Sequence, residues 1–177
     1  MTESRAKAAL GVIGAVAWAL LGLAQAVASE QAKPDFWEPV RFLVGAWEGT
    51  AEGQAGVGTV CRVYNFVLKD RYLHETNVST YPPQASNKAG EVHEHWSFFS
   101  YDRSRKALVL RQFHQEGFVN QYVLSTSESR PGRLVFTSEN FENFDNSWRA
   151  RETYEIRSPD EFVEIFELRA PGKEFEV

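Results

Sequence analysis

Residues 111–122, RQFHQEGFVNQY, combine charged and amide side chains with aromatic rings in a pattern typical of a β-hairpin. Glu116-Gly117 fits a two-residue turn, because glycine readily adopts the positive φ that such turns need. This turn predicts three cross-strand pairs: His114 with Val119, Gln112 with Gln121, and Arg111 with Tyr122. Polar groups then lie on both faces of the hairpin, which indicates a sheet around a partly polar interior.

Arg111 and Tyr122 together could bind the carboxylate of a ligand. A guanidinium donates two parallel hydrogen bonds to a carboxylate, and the phenol could donate a third. Strand alternation does not decide which face is inside, so an Arg111 that faces solvent is the open alternative. The ligand-binding residues predicted on this hairpin are Arg111, Gln112, His114, Gln121 and Tyr122.

A second candidate site is the segment His93-Glu94-His95. Two histidines at i and i+2 of a strand project to the same face, with Cα atoms about 6.8 Å apart. They could share a metal ion if a neighbouring strand supplied a third ligand, for which His114 and His74 are the candidates. In the alternative interpretation both histidines lie on the outer face. The side chains that would then point inward are those of Glu94, Trp96 and Phe98, and Trp96 would lie beside the ligand.

A third candidate lies on the strand predicted at residues 148–157, where one face is mostly apolar but includes Glu152 and Tyr154. A buried carboxylate must be neutralised or paired, and Arg111 or a histidine could be the partner. Glu152 and Tyr154 are therefore predicted either to bind the polar end of a ligand or to form an internal ion pair that fixes the register of the strands.

Several classes of protein are excluded by composition and motifs. The single cysteine, Cys61, rules out an intrachain disulfide and a CxxC metal pattern. The net charge of −5, with acidic and basic residues interleaved, argues against nucleic acid as a partner. The sequence has no GxSxG elbow, no HExxH motif and no glycine-rich phosphate loop, so no known catalytic motif identifies an enzyme.

The elements that must position these residues are β-strands almost throughout. Apolar and aromatic segments alternate with turn residues, and residues 36–43 could form one helical turn that closes an end. The predicted strands are 44–53, 59–68, 72–80, 91–101, 107–115, 118–125, 133–142, 148–157 and 162–168, with a tenth from Glu174. Consecutive hairpins without a helical period predict an all-β fold, an antiparallel up-and-down β-barrel of nine to ten strands.

Residues 1–29 have the pattern of an export segment, in which Arg5 and Lys7 precede an uncharged run, residues 8–29. Small residues at Ala24, Ala26 and Ala28 have the spacing that signal peptidase requires. The segment is predicted to be a cleaved signal peptide or, alternatively, an uncleaved membrane anchor. The domain would be exported to the periplasm or secreted, or else anchored, with membrane contact only through the uncharged run. Residues 30–39 would be a linker and residues 40–177 the barrel.

Gly45-Ala46-Trp47, at the start of the first predicted strand, resembles the GxW signature of the calycin superfamily of lipocalins and fatty-acid-binding proteins. Together with the segments 91–96, 99–102 and 148–154, it is most similar to bacterial barrels related to nitrobindin-type haem-binding domains. The resemblance implies that Trp47 closes the barrel floor, and it makes haem one possible ligand. In nitrobindin-type barrels the haem-ligating histidine lies near the end of the chain, whereas here no histidine follows His114.

The expected function is therefore to bind a small, mostly apolar molecule with one polar or acidic group inside the barrel. The alternative is a metal-dependent or acid–base enzyme that uses the histidine and glutamate groups of the same cavity. A third option is a barrel filled by its own side chains, with a structural role.

Overall fold

The structure is a computed structural model that describes residues 35–177, and it is all-β with almost no helix. One short 3-10 helix, Glu38–Leu43, precedes the sheet. The nine strands are β1 (Gly45–Gly53), β2 (Gly56–Val67), β3 (Tyr72–Tyr81), β4 (Glu91–Asp102), β5 (Ala107–His114), β6 (Val119–Leu124), β7 (Arg133–Glu142), β8 (Arg149–Ser158) and β9 (Glu161–Arg169). All nine predicted strands and the predicted helical turn are confirmed.

The nine strands form one antiparallel sheet in the order of the sequence, β1 to β9, which curls into a half-barrel. The predicted series of consecutive hairpins is therefore correct. Within residues 35–177 no backbone pairing joins β1 to β9, so the sheet does not form the closed ring that was expected. The predicted tenth strand is reduced to an isolated bridge between Leu168 and Glu176.

Side chains of each strand alternate between a buried inner face and an outer face, as the period of two requires. On β3, for example, every second residue from Leu73 to Ser79 is buried. One part of the inner face is apolar: Leu73, Phe99 and Leu110 are neighbours on successive strands and are fully buried. The 3-10 helix covers this part, because its Val40 packs into the same cluster.

The two edge strands approach each other through side chains at the GxW segment. Gly45 has a φ of 133°, a conformation that glycine adopts more readily than other residues. Trp47 donates a hydrogen bond from Nε1 to the carbonyl of Leu43 at 2.7 Å. Its ring packs edge-on against Phe162 of β9, with 4.7 Å between centroids. Trp47 therefore fastens the start of β1 to the helix and to the last strand.

The predicted export segment and the first part of the predicted linker lie outside the described residues. Within residues 35–177 no helix has both the length and the apolar composition needed to cross a membrane.

Candidate functional site

The hairpin of β5 and β6 has a register that differs by one residue from the predicted one. Gly117 donates its backbone N–H to the carbonyl of His114 at 2.9 Å, and His114 pairs with Phe118, so the loop is longer than two residues. The observed pairs are Arg111 with Gln121, Gln112 with Asn120, and Phe113 with Val119. The predicted pairs are wrong, because the longer loop shifts β6 by one position relative to β5.

Three of the predicted ligand-binding residues lie on the outer face of the sheet: Arg111, Gln121 and Trp96. Arg111 donates hydrogen bonds to Gln121 Oε1 at 2.9 Å and to Ser100 Oγ at 3.1 Å, and it lines an outer groove of about 420 Å³. Trp96 is 56% exposed, which shows that its predicted inward position is wrong. Arg111 and Tyr122 therefore cannot bind one carboxylate together, since they lie on opposite faces of the hairpin.

The inner face carries two neighbouring rows of polar residues, which we call the inner polar rows. The register of β2 to β6 aligns their members across successive strands. The first row is Glu75, Ser97, Gln112 and Asn120, all of them buried, and the second is Arg62, Asn77, His95 and His114. Of these residues only His95, His114 and Gln112 are candidate site residues predicted from the sequence.

Glu75 is a fully buried carboxylate with a cation beside it. Tyr64 donates its hydroxyl to Glu75 Oε1 at 3.0 Å, and Arg62 Nε lies 3.5 Å from the same oxygen. Burial alone would raise the pKa of Glu75, but the positive charge of Arg62 and the contact with His95 lower it to about 2. Glu75 is therefore ionised over the whole physiological range.

Glu152 has the opposite character. It is buried, as predicted, but neither Arg111 nor a histidine pairs with it. Burial and the nearby Glu164 raise the pKa of Glu152 well above its ordinary value of 4.5, although Arg62 acts against this. Its environment therefore favours the protonated acid, which can donate a hydrogen bond.

Some buried polar atoms of the inner face have no hydrogen-bond partner among residues 35–177. On the predicted binding residues these atoms are Gln112 Oε1, Glu152 Oε2 and Tyr154 Oη. Tyr122, by contrast, accepts a hydrogen bond from Asn120 at 3.0 Å. All four predicted residues lie on the inner face, and their role in binding stays a prediction.

His93, His95 and His114 converge on the same inner face. One ring nitrogen of each residue lies within 4.8 Å of the corresponding nitrogens of the other two. His93 Nε2 lies 3.4 Å from His114 Nδ1. The predicted alternative with both β4 histidines on the outer face is wrong. His74 instead occupies the outer face, where its ring lies against Trp96.

Ring nitrogens of the three histidines also have polar neighbours outside the cluster. His93 Nδ1 lies 2.9 Å from Glu116 Oε1, and His114 Nε2 lies 3.2 Å from the amide of Asn120. His95 Nε2 lies 3.7 Å from Glu75 Oε1. Burial, followed by the charges of His95 and His93, lowers the pKa of His114 to about 3. His114 is therefore neutral near pH 7, and its imidazole can act as a ligand.

No model of a known protein family and no curated protein matches this chain. The functional conclusions therefore depend on two groups of inner-face residues: the unpaired buried atoms of Gln112, Glu152 and Tyr154, and the three histidines.

Proposed function

We propose that this protein is an exported, non-enzymatic member of the calycin superfamily that binds a small, mostly apolar molecule at its inner face. The unpaired buried atoms Gln112 Oε1, Glu152 Oε2 and Tyr154 Oη carry this proposal. More than about 90% of buried polar groups in proteins have a hydrogen-bond partner. Each buried group that lacks a partner lowers the stability of the fold by about 1–3 kcal/mol. A ligand with a hydrogen-bonding group would satisfy them.

Family and location are supported by the sequence pattern and by the fold. The GxW segment, whose Trp47 is half-buried, and the up-and-down order of nine strands are both features of the calycin resemblance. Residues 1–29, with basic residues before an uncharged run, support export to the periplasm, secretion or membrane anchoring. Nucleic acid is not a proposed partner, because the chain carries a net charge of −5.

The inner face also indicates which chemistry the ligand has. Leu73, Phe99 and Leu110 lie next to the first inner polar row, so the interior around these polar atoms is apolar. The cation of the inner face, Arg62, already lies beside the carboxylates of Glu75 and Glu164. The polar group of the ligand is therefore a neutral one, such as a hydroxyl or carbonyl, which can pair with Gln112 and Glu152. The predicted binding of an acidic ligand by Arg111 required an inward Arg111, whereas Arg111 lies on the outer face.

The test is native mass spectrometry of the full chain, compared with its mass under denaturing conditions. We expect the native mass to exceed the denatured mass by that of a retained small molecule. Gln112→Leu should abolish retention, while Gln121→Leu, on the outer face of the same hairpin, should not. The proposal fails if Gln121→Leu has the same effect as Gln112→Leu. It also fails if wild-type protein retains nothing and no apolar compound with one hydroxyl or carbonyl raises its Tm.

A second candidate is an acid–base enzyme on the same face, favoured by the contrast between Glu75 and Glu152. One carboxyl group is held ionised and the other is held protonated, which is how enzymes obtain a base and an acid from the same residue type. Such an enzyme would exchange a C–H hydrogen of the retained molecule with deuterated solvent. Exchange that Glu75→Gln and Glu152→Gln both abolish supports catalysis, while its absence in wild-type protein leaves binding as the function.

A further inference from the structure

We propose that His93, His95 and His114 form a binding site for one divalent transition-metal ion, with zinc as the type. This metal site goes beyond the binding of a small molecule and does not depend on it. Imidazole nitrogens suit zinc, copper, nickel and iron, whereas magnesium and calcium prefer oxygen ligands. The donor set therefore defines the class of metal.

The spacing of the three rings fits a tetrahedral ion. Zinc–nitrogen bonds of about 2.0–2.1 Å place two nitrogens of a tetrahedral site about 3.3 Å apart. His93 Nε2 and His114 Nδ1 are 3.4 Å apart, and all three ligand nitrogens lie within 4.8 Å of one another. Binding requires shifts on the order of 1 Å in the side chains, which imidazole rotation can supply without a change in the strands.

The contacts of the outer nitrogens match those of metal-binding histidines. Such histidines generally donate their second ring N–H to a carboxylate, a carbonyl or water, which fixes the ring orientation and the tautomer. Glu116 Oε1 lies 2.9 Å from His93 Nδ1 and can accept in this way. The Asn120 atom that lies 3.2 Å from His114 Nε2 is the donor Nδ2, so metal binding through His114 Nδ1 requires the Asn120 amide to turn its oxygen toward the ring. Glu75 lies 3.7 Å from His95 Nε2. His93 therefore has an acceptor carboxylate behind it, and the ionised Glu75 near His95 adds a second negative charge that offsets the charge of the ion.

His95 supplies an independent reason to expect a ligand at this position. Its side chain is 9% exposed, and neither of its ring nitrogens has a hydrogen-bond partner among residues 35–177. A buried imidazole without partners is costly, and coordination of one nitrogen to a metal would remove that cost. The 3.4 Å separation of His93 and His114 is also long for a hydrogen bond between nitrogens, so a purely hydrogen-bonded cluster explains it less well.

Three protein ligands leave the fourth position of a tetrahedral ion open. Structural zinc sites use four protein ligands, whereas sites that bind water or a substrate use three. The three histidines lie on the inner polar face, where Asn77 pairs with His95 across the strands. We therefore expect a bound water or a small ligand as the fourth donor.

Cobalt titration of the full chain tests the site. Untagged protein is stripped with a chelator, dialysed and titrated with cobalt(II), whose visible absorption reports a four- or five-coordinate site. One equivalent of cobalt should bind per chain, and one equivalent of zinc should displace it. A wild-type chain that shows no saturable binding of either ion would overturn the proposal.

The four histidines of the chain provide matched variants. Loss of a residue that hydrogen-bonds to a metal ligand lowers metal affinity by about 10- to 100-fold. Loss of a ligand itself should lower zinc affinity by more than this in each of the variants His93→Ala, His95→Ala and His114→Ala. His74→Ala, on the outer face, should bind zinc like the wild type. Because the change at buried His95 could disturb folding, circular dichroism is recorded for each variant and the decisive comparison is His93→Ala with His74→Ala. Equal affinities in these two variants would contradict the site.

Discussion

Arg62 on β2 and Glu164 on β9 form an ion pair across the inner face of the half-barrel. Both side chains are largely buried, and Arg62 also lies 3.5 Å from the carboxylate of Glu75. No backbone pairing joins the two edge strands within residues 35–177, so this ion pair and the contact of Trp47 with Phe162 connect the first part of the sheet to the last.

Replacing Arg62 by methionine should destabilise the protein strongly. The variant keeps much of the side-chain volume but leaves Glu75 and Glu164 without their cation in a buried environment. Removing one partner of a buried ion pair typically costs about 3–5 kcal/mol. The free energy of unfolding, measured by urea denaturation at neutral pH, should fall by about that amount.

Arg157→Met is the control for this change. Arg157 contacts Glu155 at 2.6 Å, but its side chain is 55% exposed. Exposed ion pairs contribute about 0–1 kcal/mol, so this variant should be nearly as stable as the wild type. Comparable losses in Arg62→Met and Arg157→Met would show that the inner ion pair has no special role.

The effect of Glu152→Gln on stability should depend on pH. The pKa of Glu152 in the folded protein lies well above the ordinary 4.5. The contribution of the protonated carboxyl group to the free energy of unfolding is therefore complete below pH 4.5, and it is lost as the pH rises toward the folded-state pKa. A glutamine side chain does not titrate, so its contribution to stability does not change with pH. The variant should therefore gain stability relative to the wild type with increasing pH, by up to about 1.4 kcal/mol per pH unit, in urea unfolding from pH 4.5 to 8.

Glu167→Gln serves as the comparison for Glu152→Gln. Glu167 accepts hydrogen bonds from Arg151 at 2.7 Å on the outer face of the neighbouring strand. The pair is bidentate and only 14–22% exposed, so replacement of Glu167 should lower the free energy of unfolding by about 1.5–3 kcal/mol at pH 8 instead of raising it. If Glu152→Gln lost stability relative to the wild type as pH rises, Glu152 would be ionised in the folded state.

The strands could be predicted from the sequence because their signals are local. Apolar and aromatic residues alternate within each strand, and turn residues separate the strands, so the predicted bounds differ from the observed ones by three residues at most. Pairing of β1 with β9 joins residues more than a hundred positions apart, and no local pattern reports whether it forms. The expectation of a closed barrel depended on that pairing and was therefore the weakest part of the fold prediction.

The site was predicted only in part, because one turn decides which side chains face inward. Glu116-Gly117 suggested a two-residue turn, but the backbone of His114 pairs with Phe118 instead. A shift of one residue moves a strand's side chains to the opposite faces of the sheet. This explains why Gln121 was grouped with Gln112 and His114 while Asn120 was missed. Arg111 was included for another reason, because strand alternation alone does not decide which face is inside. The pattern of Glu75, Asn77 and Ser79 on β3 was an available signal of a polar inner face.

Trp47→Ala should destabilise the protein far more than Trp96→Ala. Trp47 donates a hydrogen bond to Leu43 and packs on Phe162, which joins the helix, β1 and β9. Its truncation should cost about 3 kcal/mol, the lower end of the range for tryptophan in protein cores. Trp96 is 56% exposed and should contribute about 1 kcal/mol or less. Thermal unfolding of both variants measures the difference, and equal losses would remove the proposed role of the GxW segment.

Glu116→Gln should weaken metal binding without removing a ligand. Glu116 lies 2.9 Å from His93 Nδ1, where its negative charge makes the opposite nitrogen a better donor to the metal. Loss of such a partner lowers metal affinity by about 10- to 100-fold, measurable by competition between zinc and a chelating dye. Glu94→Gln is the matched control, since Glu94 lies between His93 and His95 but is exposed on the other face. If Glu116→Gln bound zinc as tightly as the wild type, Glu116 would not support the site, whereas an equal loss of affinity in Glu116→Gln and Glu94→Gln would indicate a general effect of surface charge.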